Sequence, residues 1–314
     1  MNSTSNTSAL QGYLRADGKK GIRNVVAVAY LIVNARITSR ARSARIFVLR
    51  SMTSIPTRAT KNLPVHLIGF PGCYPNSYAE KMLERICTHP NVGAVLFVSF
   101  GCESMNKHYL ADVVRASGRP AAVLTIQEKG GTRSTIQHGL DWVREARATL
   151  AARAKAPMSL DELIVGTICG GSDGTSGITA NPAVERAFDT FIGAGASCIF
   201  EETGELVGCE FHMQRRAARP ELGDAIVECV QKAARYYTTM GHGSFSVGNA
   251  DGGLTTQEEK SLGAYSKSGA SPIVGIIKRA TCRRPAASIC PMSSPTASRA
   301  SAFPISATTR RLAN

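Results

Sequence analysis

Leu163-Ile164-Val165-Gly166-Thr167-Ile168-Cys169-Gly170-Gly171-Ser172-Asp173-Gly174-Thr175-Ser176-Gly177-Ile178-Thr179-Ala180-Asn181-Pro182 decides how this chain folds. An apolar run of strand length ends in a glycine-rich turn and reopens into a helix. Open α/β sheets build their sites in this way, because the crevice beyond a strand's carboxyl end collects backbone N–H groups and helix N-termini. Chemistry is expected at this turn.

Working outward, residues 24–33, 65–70, 92–100 and 121–126 are short, continuously apolar runs, as suits strands buried on both faces of a parallel sheet. Residues 77–87, 106–117 and 135–154 have helical spacing. Downstream of the glycine turn, the pattern predicts a helix over 183–193, a strand over 197–200 and helices near 205–216 and 221–240. A Gly/Ser/Asn-rich loop over 241–253, a segment over 254–268 and a last strand over 272–277 follow. The predicted architecture is α/β, with two doubly wound, mostly parallel-sheet lobes. The first spans 1–156 and the second 157–278, followed by a basic tail over 279–314.

At 314 residues the chain can bury two cores. It lacks an apolar run long enough for a membrane span and a secretory pattern at its start, so a cytoplasmic protein is expected. Nine cysteines without any Cys-x-x-Cys fit reduced thiols.

The formal charge of +14 is concentrated in two windows. Residues 34–63 carry seven basic residues and no acid, residues 279–314 carry six and none, and outside them 24 basic residues face 23 acidic ones. Without interleaved aromatics or helical spacing, neither window reads as a nucleic-acid surface. They read either as solvated basic linkers or as out-of-frame text. Shifted by one base, a suitable synonymous coding of 33–38 gives Glu-Cys-Ala-His-His, and a GC-rich gene read out of frame yields Arg/Ala/Ser/Pro/Thr-rich sequence. On that reading the frame is restored near Pro64 and is not restored after Lys278.

Polar clusters follow the predicted strands. Cys73 lies in Gly72-Cys73-Tyr74-Pro75-Asn76, Cys102 in Gly101-Cys102-Glu103-Ser104, and Cys169 opens the glycine turn. Three thiols at the carboxyl ends of strands could ligate a soft or borderline metal, or simply fill space. Arg133, in Gly130-Gly131-Thr132-Arg133, offers a planar fork for a carboxylate or a surface charge. Lys260 is a base, a clamp or a solvated helix lysine. No histidine pair has metal-ligand spacing.

These segments resemble the altronate/galactarate dehydratase family, which includes sulfolactate sulfo-lyase subunits. The resemblance rests on Gly12-Tyr13-Leu14-Arg15-Ala16-Asp17-Gly18, Gly21-Ile22-Arg23-Asn24, Gly101-Cys102-Glu103, Gly130-Gly131-Thr132-Arg133 and the glycine turn through Pro182. It continues through Glu201-Glu202-Thr203, Gly252-Gly253-Leu254-Thr255-Thr256 and Glu259-Lys260-Ser261-Leu262-Gly263-Ala264, covering roughly 12–33 and 64–278. It implies a hydro-lyase that removes water from a sugar acid with a divalent metal, Fe(2+) by preference. The proton beside a carboxylate is weakly acidic and hydroxide leaves poorly, so a cation must steady the enediolate while an acid/base pair moves protons.

The resemblance assigns Glu103, Asp173 and Lys260 to catalysis. Arg133, Ser172, Thr179, Asn181 and Thr255 would hold the substrate, and Cys102 and Cys169 the metal. It also implies a partner subunit carrying the family's small N-terminal domain, a homo-oligomer, and no nucleic-acid or membrane partner. A catalytically inactive truncated scaffold, or a sulfo-lyase subunit acting on sulfolactate, is the alternative. A nucleotide-binding module is the rival class, although the glycine turn has neither phosphate-loop order.

Overall fold

The computed structural model describes residues 10–31, 64–70, 73–201 and 203–277. Windows 34–63 and 279–314, with the frame reading attached to them, lie outside these residues. The chain divides into two compact units between Met158 and Ser159.

The first unit opens with three short antiparallel strands that the periodicity did not announce. Strand β1 (Gln11–Leu14) pairs with β2 (Lys20–Gly21) and with β7 (Ala156–Pro157). The motif residue Arg15 turns inward here and is 3% exposed. Its guanidinium donates to the Pro90 carbonyl (2.7 Å), to Asn24 Oδ1 (3.0 Å) and to the Arg23 carbonyl (3.2 Å). Burial, then the nearby Arg119 and Arg153 guanidiniums, bring its pKa down to about 10, so it stays charged at neutral pH. A Cβ at Gly21 would stand 2.1 Å from the Pro90 carbonyl oxygen, a close approach that only glycine permits. The 12–24 motif is therefore architecture that pins the strand pair to the body of the lobe.

That body is a four-stranded parallel sheet in the order β4 (Val65–Gly69), β3 (Val25–Tyr30), β5 (Val92–Ser99), β6 (Ala121–Thr125). All eight residues of β5 are buried, which is why it reads as an unbroken apolar run. One face is covered by α1 (Ser77–Cys87) and α2 (Lys107–Ala116), which bring Leu83, Leu110 and Val114 against Ala27 and Phe97. The other is covered by α3 (Thr132–Ala151), through Val143, Ala146 and Leu150 against Val28 and Leu96. Each such side chain taken fully out of water contributes about 1.5–3 kcal/mol. Asn76 and Asn106 start α1 and α2 by accepting backbone N–H bonds of 3.0 Å from Ala79 and Tyr109. Helices on both faces of a parallel sheet make this lobe doubly wound.

In the second unit β8 (Ile164–Ile168) and β9 (Ser197–Glu201) lie parallel, joined across α4 (Ala180–Gly193). Pro182 falls in the first turn of α4, where its missing N–H costs nothing. Helices α5 (Glu210–Arg215), α6 (Pro220–Thr239), α7 (Val247–Asp251) and α8 (Gln257–Ser266) complete the described part. Its core gathers Leu206, Met213, Leu222, Ile226 and Val230.

The α/β class holds throughout, but two details are corrected. The strand expected over 272–277 is a single bridge, Ile273 to Ala217. Its apolar character comes from Ile273 and Ile276 packing on the helical core rather than from a sheet. The loop expected over 241–253 contains α7, nucleated by a capping box in which the Ser246 and Asn249 side chains serve each other's backbone.

Candidate functional site

The glycine turn after β8 folds against a second glycine pair. Gly174 N–H donates to the Gly252 carbonyl at 2.9 Å. A Cβ at Gly174 would meet the Gly253 oxygen at 2.9 Å, and one at Gly252 would meet the Ser172 oxygen at 2.8 Å. Further along, Gly177 and Gly263 face each other, with a Cβ on either one within 3.4 Å of the other's Cα. Glycine is needed here because two backbones touch. Asn181 reinforces the contact, its Nδ2 donating to the Gly263 carbonyl at 2.8 Å.

Between the turn and α8 lies a cavity of about 450 Å³, within the usual range for a small-molecule site. Cys169, Ser172, Asp173 and Asn181 line it from the turn and the start of α4, and Lys260 lines it from α8. Five of the sequence-predicted residues thus meet in one place. Thr179 and Thr255 do not line it. Thr179 donates its hydroxyl to the Thr175 carbonyl (2.8 Å), and Thr255 donates its N–H and Oγ1 to Glu259 Oε2 (2.7 Å each).

Lys260 is held in place. Its ammonium donates to the Ser244 carbonyl and to Asn249 Oδ1, the latter at 3.1 Å. An ammonium has three donors, so one remains for a ligand. Asp173 is the opposite case, since its Oδ1 accepts from Thr175 N (2.8 Å), Thr175 Oγ1 (2.6 Å) and Ser176 N (2.9 Å). The Thr175 hydroxyl first, then the Thr175 and Ser176 N–H groups, lower its pKa below the usual carboxylate range. A carboxylate this well solvated by the protein is a poor base, and its role is to shape the turn. Glu259 is likewise lowered, by the Thr255 N–H and then its hydroxyl. The Cys169 thiol lies 3.6 Å from the Ser172 hydroxyl.

The cavity also reveals residues the sequence reading missed, chiefly Lys267 and Leu254. The signal for Lys267 was present. Lys260, Gly263, Ala264 and Lys267 recur at helical spacing on one face, as the motif through Ala264 foreshadows.

In the first unit, loops at the carboxyl edge of the sheet hold the other candidates. Gly101, at φ +121°, starts the turn after β5, and its N–H donates to Glu103 Oε2 at 2.9 Å. Glu103 Oε1 is buried without a hydrogen-bond partner among the described residues. Burial alone would raise this carboxyl's pKa. Hydrogen bonding with the Ser99 hydroxyl and the Gly101 N–H, then the charge of Lys107, outweigh it and bring the pKa below the usual value. Lys107 Nζ itself donates to Ser99 Oγ at 3.1 Å. Cys73 and Cys102 are exposed free thiols at the same edge. Arg133 is exposed in the first turn of α3 and makes no hydrogen bond or ion pair among the described residues.

Among the described residues, no three His, Cys, Asp or Glu side chains come together to hold a metal ion. The Cys169 thiol lies beside the Ser172 hydroxyl, and Asp173 Oδ1 already accepts three hydrogen bonds. The ligand set that an iron ion needs is not assembled from these residues, and no step below runs through one. No described helix is long and apolar enough to cross a membrane.

The fold and cavity define an α/β protein with a lysine-lined, glycine-walled cavity beyond a strand's carboxyl end. Residues 12–151 match the family described as D-galactarate dehydratase/altronate hydrolase, second domain, and residues 160–310 match D-galactarate/altronate dehydratase, C-terminal. The chain belongs to this dehydratase family. It is 31% identical over 202 residues to the altronate dehydratase of Bacillus subtilis strain 168, covering 63% of this chain and 40% of that protein. It is 27% identical over 277 residues to the altronate dehydratase of Escherichia coli K12, covering 86% and 54%. The (2R)-sulfolactate sulfo-lyase subunit beta of Chromohalobacter salexigens is 32% identical over 263 residues, covering 82% and 64%. The chain therefore spans less than two thirds of these relatives' lengths. The second family match runs to residue 310, past residue 278 where the resemblance was expected to stop.

Proposed function

We propose that this protein is a hydro-lyase that dehydrates a sugar acid in the second-unit cavity. The observation that carries the reading is the Lys260 ammonium, fixed by two carbonyl oxygens and facing the glycine turn across a ligand-sized space. The substrate carboxylate sits against Lys260. When the proton on the neighbouring carbon is removed, negative charge spreads onto the carboxylate oxygens, and the ammonium steadies it. The C–O bond at the next carbon then breaks, and the hydroxide takes up the proton removed in the first step and leaves as water. The resulting enol tautomerises to a 2-keto acid. In this reading Ser172 and Cys169, which line the cavity, orient substrate hydroxyls, while Asp173 shapes the turn and Asn181 ties it to α8.

The sulfo-lyase relative gives the second reading, in which sulfite replaces water as the leaving group. Because that relative is named as a subunit, a small partner subunit is proposed with it. The test offers altronate, galactarate and sulfolactate to the full chain, with and without ferrous ion, and follows 2-keto acid by NMR and sulfite by a colorimetric probe. Product from altronate or galactarate that falls at least about 100-fold in Lys260→Met, about 2.7 kcal/mol of transition-state stabilisation, supports the proposal. Absence of both binding and product, or full turnover in Lys260→Met, refutes it.

A further inference from the structure

We propose that Asn249 is a positioning residue for this cavity: it holds the Lys260 ammonium through a neutral oxygen and so leaves the positive charge uncancelled for the carboxylate of a ligand. The inference rests on the sugar-acid reading and deepens it. Asn249 is 9% exposed and is not among the residues that line the cavity, so it acts through Lys260.

One oxygen carries the arrangement. Asn249 Oδ1 accepts the Ser246 N–H (2.9 Å), the Ser246 hydroxyl (3.3 Å) and the Lys260 ammonium (3.1 Å). A backbone N–H and an ammonium can only donate, so the amide oxygen and not its nitrogen must face them. The Ser246 N–H bond belongs to the capping box that starts α7, which fixes the amide independently of Lys260. The other acceptor of Lys260 is the Ser244 carbonyl, two residues before Ser246. Residues 244–249 thus hold the α8 lysine from outside its own helix.

Both acceptors are neutral. Lys260 makes no ion pair among the described residues. The carboxylates that line the cavity with it are engaged elsewhere, Asp173 Oδ1 by three bonds from its own turn and Glu259 Oε2 by the Thr255 N–H and hydroxyl. An aspartate at 249 would fill the same space and accept the same three bonds. Its charge, however, would pair with the ammonium and oppose a bound anion. An amide at this position keeps the lysine both fixed and available.

The experiment measures binding of altronate and of its primary amide, which keeps every hydroxyl and loses the charge. Titration calorimetry on the full chain is run for wild type, Asn249→Asp and Asn249→Ala, with the Tm of each from circular dichroism. Wild type should bind altronate at least about tenfold more tightly than the amide, the worth of one hydrogen bond to a charged group. Asn249→Asp, which keeps the capping acceptor, should remove that preference by weakening altronate alone at unchanged Tm. Asn249→Ala, which removes the cap and adds no charge, should melt lower and retain part of the preference. A wild-type preference that survives Asn249→Asp overturns this inference alone and leaves the sugar-acid reading standing. Equal weakening of both ligands in Asn249→Asp, or equal loss of the preference in both variants, also overturns it, by assigning Asn249 a merely structural role. Wild type that binds neither ligand, or both equally, overturns the Lys260 clamp of the proposed function together with this inference.

Discussion

Replacing Gly252 by Ala tests how the site is built. The added methyl carbon would stand 2.8 Å from the Ser172 carbonyl oxygen and 3.4 Å from Asp173 Cα, both backbone atoms that cannot rotate away. The turn must move, and the 2.9 Å bond from Gly174 N–H to the Gly252 carbonyl is strained or lost. Overpacking of this kind costs about 1–3 kcal/mol and the hydrogen bond about 0.5–1.5 kcal/mol. The stiffer unfolded chain returns about 0.4–1 kcal/mol. A net loss of about 1–3 kcal/mol lowers Tm by about 3–10 °C for a unit of this size. The matched control is Gly170→Ala, where a Cβ meets nothing within 4 Å and no loss is expected. Thermal unfolding followed by circular dichroism compares the two variants. If Gly252→Ala melts with the wild type, or if Gly170→Ala falls as far, the packing of the turn against 252–253 has been misread.

Other expectations follow the same geometry. Asn181→Ala removes the bond to the Gly263 carbonyl and should cost about 1–2 kcal/mol, seen as a lower denaturant midpoint at unchanged slope. Glu103 is held below its usual pKa in the folded state, so its contribution is fully present above its unfolded value near pH 4.3 and is lost as pH falls through the folded value. Glu103→Gln should flatten that part of the acid-denaturation curve, and an unchanged curve would contradict the assignment. If 34–63 and 279–314 are out-of-frame text, resequencing the gene will show a one-base insertion or deletion at the borders of 34–63 and another near 278. An intact frame through both windows refutes that idea.

The first lobe was legible because its strands are buried on both faces. The run predicted over 92–100 is β5 (Val92–Ser99), and that over 121–126 is β6 (Ala121–Thr125). The helix predicted over 77–87 is α1 to the residue. Short antiparallel pairing escaped, because Gln11–Leu14 and Lys20–Gly21 are too brief to show a period and are fixed by the Arg15 hydrogen bonds instead. The segment over 272–277 misled because apolar residues packing on helices look the same in sequence as a buried strand. At the site, proximity in sequence placed Cys169, Ser172, Asp173 and Asn181 on one turn, Lys260 entered from a separate polar patch, and the structure brings all five to one cavity. Sequence cannot show which oxygens are already occupied. That is why Asp173 reads as an acid/base group in the chain and as a turn-former in the structure.

The most direct test of the second-unit cavity as the binding site is the alkylation rate of Cys169, which lines it, is half-buried and forms no disulfide. Iodoacetamide modification is followed by peptide mass spectrometry, with and without galactarate at a concentration that saturates its calorimetric binding. The account predicts that the acid slows modification of Cys169 at least about tenfold and leaves Cys229, outside the cavity lining, unchanged. Cys169 alkylated at the same rate with ligand bound would place the ligand elsewhere and contradict it.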